Sequence, residues 1–419
     1  MREEEAIRLV TERYGLPLEG LRASRLAGEY DDNFEITAAD GKRYVLKVMH
    51  PSREPAFVDL QCAALRHLAR VVPDLNLPRV QRALDERLFV SITPSDGATR
   101  IVWMLSWVEG DVLAKSHPHS RPLMFALGQT LGRLDEGLKS FTHPAAGRDL
   151  KWNLAEPLWA REALPFIEGA SRQDLAARAL MKFEADVQPW LSSMRRSVIY
   201  GDANDYNVIV SAKEDGQGVG LIDFGDMHFG ITVAEIAVAA AYAMMGKSDP
   251  LAVAAEVAAG YHAASPLEDR EFAVLFPLVG TRLAVSVANS ASMKRSRPED
   301  PYVTISEEGA WEALARWDGI SPRLAEARFR HACGVTPAPK AQSVVRWLEE
   351  EATIHSVLDA DLRLARSLVF DLSVSSLLLG ADPAATATPV LTETLFGEMR
   401  RTGADAGVGR YDEDRKSVV

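Results

Sequence analysis

The chain is poor in cysteine. It has two in 419 residues, Cys62 and Cys333, far apart and without C-x-x-C spacing. That argues against a disulfide framework or a thiolate zinc site. His117 and His119 flank Pro118, but two histidines without further ligands are too few to hold a metal. Basic charge is also short: 47 Lys and Arg stand against 59 Asp and Glu, a net charge of −12. With no basic block to offset it, neither nucleic acid nor an anionic membrane is an expected partner. The N-terminal "MREEEAIRLV" has no apolar core of a secretory signal. Long hydrophobic runs are missing: "VAEIAVAAAYAMMG" (233–246) is interrupted by Glu235 and falls short of the about 20 residues that span a bilayer. It reads as a buried helix, and the expected compartment is the cytoplasm. Glycine is scarce in the early polar turn "GEYDDNFEI" (28–36), which offers only Gly28 and so makes a poor glycine-rich loop.

What is present is ordinary for a globular chain: 47% apolar and 25% charged residues, with length for two or three domains. Residues 3–14 carry a helical stripe of Ile7, Val10 and Tyr14, with Gly15 placed to cap it. Between 21 and 49, short alternating runs predict strands, and 55–71 returns to helical spacing. Strands are predicted again at 87–92 and 99–108. After "EGD" (109–111) the chain turns helical, with candidates at 121–141 and around 173–195. A hairpin is predicted from "SVIY" through "VIV" to "VGLIDFG", followed by helices from 233 to about 330. "PAPKAQ" (337–342) reads as a linker. The organisation is α+β: a β-rich lobe (1–108), a helical lobe carrying one hairpin (109–336), and a linker with a C-terminal extension (337–419). The extension reads either as the start of a further domain or as a helical tail.

The chemistry concentrates in "YGDANDYN" (200–207) and "LIDFG" (221–225). Like charges crowded on a polar turn call for a cation among them, such as a divalent metal carrying phosphates. Phosphoryl transfer needs a lysine on the nucleotide phosphates, oxygen ligands for magnesium, and a carboxylate at the attacking hydroxyl. Asp202 follows Gly201 on a turn and is the candidate base. Asn207 returns an amide oxygen to the same side, and Asp223 ends an apolar strand; both suit a hard cation. Lys47 stands alone among apolar residues in "YVLKVM".

These paired motifs resemble the G-D-x-x-x-x-N and I-D-[FW] signatures of the aminoglycoside phosphotransferase-like kinases, and most closely their hydroxylysine kinase branch. The chain is also similar to bacterial chains in which such a kinase precedes a pyridoxal-phosphate enzyme of class III aminotransferase fold. Residues 281–314 support that branch. The resemblance implies a bilobal protein-kinase-like fold over roughly 1–335, with a small β-rich lobe and a larger helical lobe. It implies Mg2+ and ATP (or GTP) as cofactors, Asp202 as base, Asn207 and Asp223 as metal ligands, and Lys47 on the phosphates. The usual partner of such a lysine is a helix glutamate; here Gln61 occupies that place, with Asp59 and Glu54 nearby. Backbone groups from Ser106 to Val108 would meet the adenine. Tyr200 stands where the family usually has histidine.

Arg282 lies in the apolar run "FAVLFPLVGTRLAVSVA" (272–288), where a guanidinium needs an answering anion. Either an internal acid such as Asp226 or Glu235 answers it, or it captures a substrate carboxylate. Asp205, Asp226 and Glu235 are candidates for a substrate ammonium. The reading is a kinase for a hydroxylated amine or amino acid. Its alternatives are a non-catalytic kinase-like binding module and a kinase for Ser or Thr of a peptide. The last is weakened by the missing H-R-D and A-P-E elements. A phosphorylated amino-acid product would suit a fused or partnering pyridoxal-phosphate-dependent phospholyase.

Overall fold

Alternation of apolar and polar residues in the first hundred positions builds an antiparallel sheet in the computed structural model, which describes residues 1–28, 30–93, 97–213, 216–296, 307–337, 411–412 and 417–418. Helix α1 (Glu3–Tyr14) precedes β1 (Arg22–Leu26), β2 (Asp32–Thr37) and β3 (Arg43–Val48). Gly15 closes α1 in the left-handed conformation, as expected. Helix α2 (Pro55–Val71) follows, then β4 (Val80–Gln81), β5 (Val90–Ile92) and β6 (Arg100–Ser106). The sheet order is β1-β2-β3-β6-β4, with β5 also on β6. Phe34, Ile36, Leu46, Val48, Val102 and Met104 form one core with Ala6 and Val10 of α1. The period of two therefore turns Lys47, between Leu46 and Val48, to the opposite face.

Strand β7 (Asp111–Val112) leads into α3 (Arg121–Leu138), α4 (Ala160–Ala163) and α5 (Ala170–Asp186). Helix α5 stops before the predicted limit of 195 because Pro189 cannot continue it; a 3-10 turn (Gln188–Ser193) takes over. Next come β8 (Arg196–Ile199), β9 (Val208–Lys213), β10 (Gly216–Leu221) and β11 (His228–Ile231). The expected hairpin is corrected in one respect. β9 and β10 pair with each other, and β7 joins β9, whereas β8 pairs with β11 in a separate two-stranded sheet. The loop 200–207 thus passes from one small sheet to the other, and 222–227 passes back. Both chemical segments lie at the same crossing.

Helices α6 (Ala234–Ala243), α7 (Pro250–Ala264), α8 (Asp269–Ser296) and α9 (Glu307–Asp318) complete the helical lobe. α8 is long and apolar enough to cross a membrane, but 89% of its apolar window is buried inside the chain's own core. Met1–Gly319 forms one compact unit and Ile320–Val419 a second. The second holds α10 (Pro322–Ala332), β12 (Tyr411–Asp412) and β13 (Ser417–Val418), the two strands pairing antiparallel. The predicted linker and extension otherwise lie outside the described residues.

Helices α3 and α7 approach backbone to backbone. A Cβ on Gly128 would sit 1.9 Å from the Val257 carbonyl oxygen, and one on Gly260 would sit 1.9 Å from that of Phe125. Neither neighbour is a flexible side chain, so the helices must separate to admit a methyl group. Gly128→Ala is expected to destabilise the protein by about 3 kcal/mol despite alanine's better helix propensity. Urea unfolding checks this; a variant as stable as wild type contradicts it.

Candidate active site

Strand β3 presents Lys47 to the helical lobe, where its Nζ lies 3.2 Å from Asp223 Oδ1. Lys47 holds the Asp223 carboxyl below the usual range; burial opposes this. Gln61 does not share this contact. It is buried on α2 and donates its amide to the Phe57 carbonyl at 3.1 Å. Asp59 instead meets His143 at 3.1 Å. The helix partner expected for Lys47 is therefore replaced by the carboxylate across the cleft.

At the lobe junction the Ser106 N–H donates to Arg79 at 2.8 Å and the Trp107 N–H to Arg43 at 3.1 Å. Ser106 Oγ accepts from the Arg79 N–H. Only the backbone N–H of Val108, among these three residues, has no partner in the described residues. Trp107 stacks under the Arg43 guanidinium at 4.6 Å.

The loop after β8 is held from beneath by Glu235 of α6. Its Oε2 accepts from the N–H groups of Tyr200 at 2.7 Å and Gly201 at 2.9 Å. Glu235 is fully buried, so it anchors the loop and does not face an acceptor, which corrects the expectation of a substrate contact. Tyr200 sends its hydroxyl to the Ile222 carbonyl at 2.5 Å. This ties the Asp202 loop to the residue preceding Asp223. Gly201 adopts a left-handed φ of 76°, and a side chain there would meet His228.

Asp202 is surrounded by donors. Its Oδ2 accepts from Asn207 Nδ2 at 2.6 Å and Asn204 Nδ2 at 3.0 Å. Its Oδ1 accepts from Arg282 at 3.2 Å. Burial, reinforced by the charge of Asp226, holds the Asp202 carboxyl well above its ordinary range; Arg282 and Asn204 oppose the shift. Arg282 is 1% exposed and lies 4.3 Å from the Trp152 ring and 5.3 Å from that of Tyr242. Its answering acid is thus the candidate base, rather than the Asp226 or Glu235 read from sequence. Its Nε and Nη1 have no hydrogen-bond partner among the described residues. So deep a guanidinium underlies Asp202 and is not laid open to a substrate carboxylate, a second correction.

Asn207 uses its nitrogen on Asp202 and its backbone C=O on the N–H of Ile222 at 3.0 Å. That register sets it beside Asp223. Asp223 has a left-handed φ of 55°, unusual for a non-glycine residue and costing about 1 kcal/mol or more. Its Oδ1 also accepts from the Gly225 N–H at 3.2 Å. Asn207 Oδ1 and Asp223 Oδ2 accept nothing from the described residues, and the Asp223 side chain is 50% exposed. One amide and one carboxylate oxygen free at a solvent-facing cleft fit a hard divalent cation that keeps room for water and phosphate. Among the described residues no three His, Cys, Asp or Glu side chains gather as a metal cluster.

Asp226 lies 3.9 Å from Arg148; burial, then the charge of Asp223, raises its carboxyl. The Asp205 backbone C=O accepts from the Ala114 N–H at 2.9 Å. Its half-buried carboxyl, also raised by burial, keeps Oδ1 without a hydrogen-bond partner among the described residues. Asn204, Arg148, Trp152 and Tyr242 escaped the sequence reading. Asn204 had a signal in its place two residues after Asp202. The others stand outside any motif.

Burial pushes Glu235 from 4.5 up to about 7. A carboxyl raised in the native state favours folding while protonated. Glu235 therefore withdraws stability as pH climbs from about 4.5 to about 7, by ~3 kcal/mol in total. Glu235→Gln retains an oxygen for both N–H groups and does not titrate. Urea unfolding between pH 5 and 8 is expected to show a shallower decline for the variant; identical slopes contradict this.

Comparison with known proteins agrees with this geometry. The phosphotransferase enzyme family matches residues 22–272, more than half of the chain. A hydroxylysine kinase from Mus musculus is 27% identical over 346 residues, covering 77% of this chain and 91% of that protein. One from Danio rerio is 29% identical over 323 residues, covering 72% and 88%. Among solved structures, a microcompartment-associated aminopropanol kinase superposes with a TM-score of 0.58 at 22% identity, over 80% of this chain and 99% of that one. An amicoumacin kinase solved with AMP-PNP and Ca2+ gives 0.56 at 14% identity, over 81% and 96%. The chain belongs to the phosphotransferase enzyme family, as a kinase of bilobal α+β fold whose acceptor is an alcohol group.

Proposed function

We propose that the protein transfers the γ-phosphoryl group of ATP (or GTP) to a hydroxyl of a small amine or amino acid resembling hydroxylysine. The observation that carries this reading is the arrangement of Asp202. Both lone-pair regions of Oδ2 are taken by Asn204 and Asn207, while among the described residues Oδ1 has only Arg282. An acceptor hydroxyl therefore docks at Oδ1, which receives its proton as the oxygen attacks. Arg282 and the two amides keep the carboxylate from rotating. Lys47 has two further N–H donors beyond the one on Asp223 and turns them to phosphate oxygens. Asn207 Oδ1 and Asp223 Oδ2 would hold a divalent cation, which would supply charge neutralisation at the nucleotide phosphates.

The acceptor class is supported by two acids near the base. Among the described residues Asp205 keeps a buried oxygen without a hydrogen-bond partner, and the ion pair of Asp226 with Arg148 is long, at 3.9 Å. Each suits an ammonium group, and the hydroxylysine kinases in the comparison act on an acceptor that carries one. A peptide acceptor is disfavoured by the short path from Asp226 to α6. That path is occupied by β11 and its pairing with β8, so no long activation segment fits.

A mass-shift screen of hydroxy-amino acids, amino alcohols and aminoglycosides with ATP and GTP tests the acceptor. Turnover is expected on hydroxylysine or a close analogue; turnover confined to acceptors without an amine contradicts the reading. Asp202→Asn is expected to lower kcat by about 10²–10⁴-fold with KM for nucleotide little changed. A variant with near-wild-type kcat removes Asp202 from the base role. Chelation of divalent metal should abolish transfer and Mg2+ should restore it.

A further inference from the structure

Helix α2 gives Lys47 no acid, yet it reaches the Asp223 turn by another route. Phe57, in its first turn, approaches Gly225: a Cβ on that glycine would lie 3.7 Å from Phe57 Cζ. Two guanidinium groups share the Phe57 ring, Arg53 at 4.6 Å and Arg148 at 5.1 Å. Arg148 donates to the carbonyl oxygens of Gly225 and, at 3.2 Å, Met227. Arg53 extends the other way. It lies 5.8 Å from the Tyr30 ring and 3.7 Å from the Asp31 carboxylate. Asp31 in turn accepts from the N–H of His50, three residues beyond Lys47, at 2.7 Å. One chain of contacts thus runs from the β1–β2 connection through the start of α2 to the backbone that carries Asp223.

This goes beyond surface packing. Arg148 is buried enough that desolvation lowers its affinity for a proton, and the nearby charge of Arg53 adds to the effect. Two cations sharing one ring repel each other unless anions face them. The anions at hand are Asp31 at one end and Asp226 at the other. The charge of Arg53 also reaches both carboxyls, adding to what Lys47 does at Asp223 and opposing the rise that burial causes at Asp226. What the arrangement fixes is the backbone just after Asp223, held by Arg148 from the same ring that seats Arg53 against the β1–β2 connection.

We propose that Arg53, Phe57 and Arg148 are positioning residues that couple nucleotide binding to metal binding at Asp223, a link made elsewhere than through the Lys47–Gln61 pairing expected from sequence. The proposal rests on the nucleotide and metal sites of the proposed function. Coupling between two ligands is reciprocal, and its usual size is about 5–150-fold in affinity.

Calorimetry of the full chain with a non-hydrolysable ATP analogue, in saturating Mg2+ and in EDTA, reads the coupling as the ratio of two Kd values, independently of any acceptor. Wild type is expected to bind at least about 5-fold more tightly with Mg2+. Phe57→Leu preserves apolar bulk but not the ring face, and should bring the ratio close to one while leaving Kd in EDTA within about 2-fold. Phe57→Tyr should restore the ratio. Arg148→Lys keeps the charge but loses the fork on the two carbonyls, and should behave like Phe57→Leu. It serves as the test if Phe57→Leu does not fold. A wild-type ratio in the leucine and lysine variants overturns the proposal, as does equal weakening in both conditions, which marks packing alone. A wild-type protein that does not bind the analogue overturns the proposed function instead.

Discussion

Asp202, Asp223, Asp226 and Glu235 crowd the crossing between two small sheets, and everything else at the site follows from how that negative charge is neutralised. Each acid has a different answer. Glu235 is buried beneath the loop and takes up two backbone N–H groups. Its raised proton affinity shows that burial outweighs those bonds. Asp202 is given a guanidinium and two amides. Asp223 faces the cleft and borrows Lys47 from the other lobe. Asp226 has the least direct compensation, with Arg148 at 3.9 Å. The lobes are therefore joined through charge as well as through the chain, and the junction carries spare acceptor oxygens on its open side. A cation entering there relieves repulsion that the protein alone leaves partly unmet.

The loops are fixed where the charges need them. Tyr200 ties the Asp202 loop to the Ile222 carbonyl, and the Ile222 N–H returns to the Asn207 carbonyl. Two hydrogen bonds thus lock Asp202, Asn207 and Asp223 into one frame. The left-handed backbone at Asp223 persists because its neighbours are held on both sides. Below the frame, α6 and the apolar middle of α8 supply Glu235 and Arg282 from buried helix. A charged group set in such helices stays rigid, which suits the holding of the Asp202 carboxylate in one orientation.

Much of this was legible in the sequence, and the reasons are local. The β2 and β3 alternation fixed the face of Lys47, and Gly201, Asp202, Asn207 and Asp223 stand at spacings that a turn and a hairpin must bring together. Where the reading failed, the information was non-local. β8 looked like the first arm of a hairpin because it precedes β9, but its partner β11 lies beyond the motif. The polarity of Glu235 and Arg282 inside apolar runs announced burial without saying whether each faces a ligand or a loop. Asp202 answers Arg282 across 80 residues of chain. Gln61 occupied the register of a lysine partner, but an amide gains more from the Phe57 carbonyl beside it than from a distant ammonium. Arg148, in a connection with no pattern of its own, left no trace.

The most direct test of the site is crystallographic. Crystals grown with Mn2+ and a non-hydrolysable ATP analogue locate the ion by its anomalous scattering. The account predicts a cation within about 2.2 Å of both Asn207 Oδ1 and Asp223 Oδ2, with Lys47 Nζ in contact with a phosphate oxygen. An ion bound away from either residue, or a nucleotide whose phosphates lie out of reach of Lys47, contradicts it.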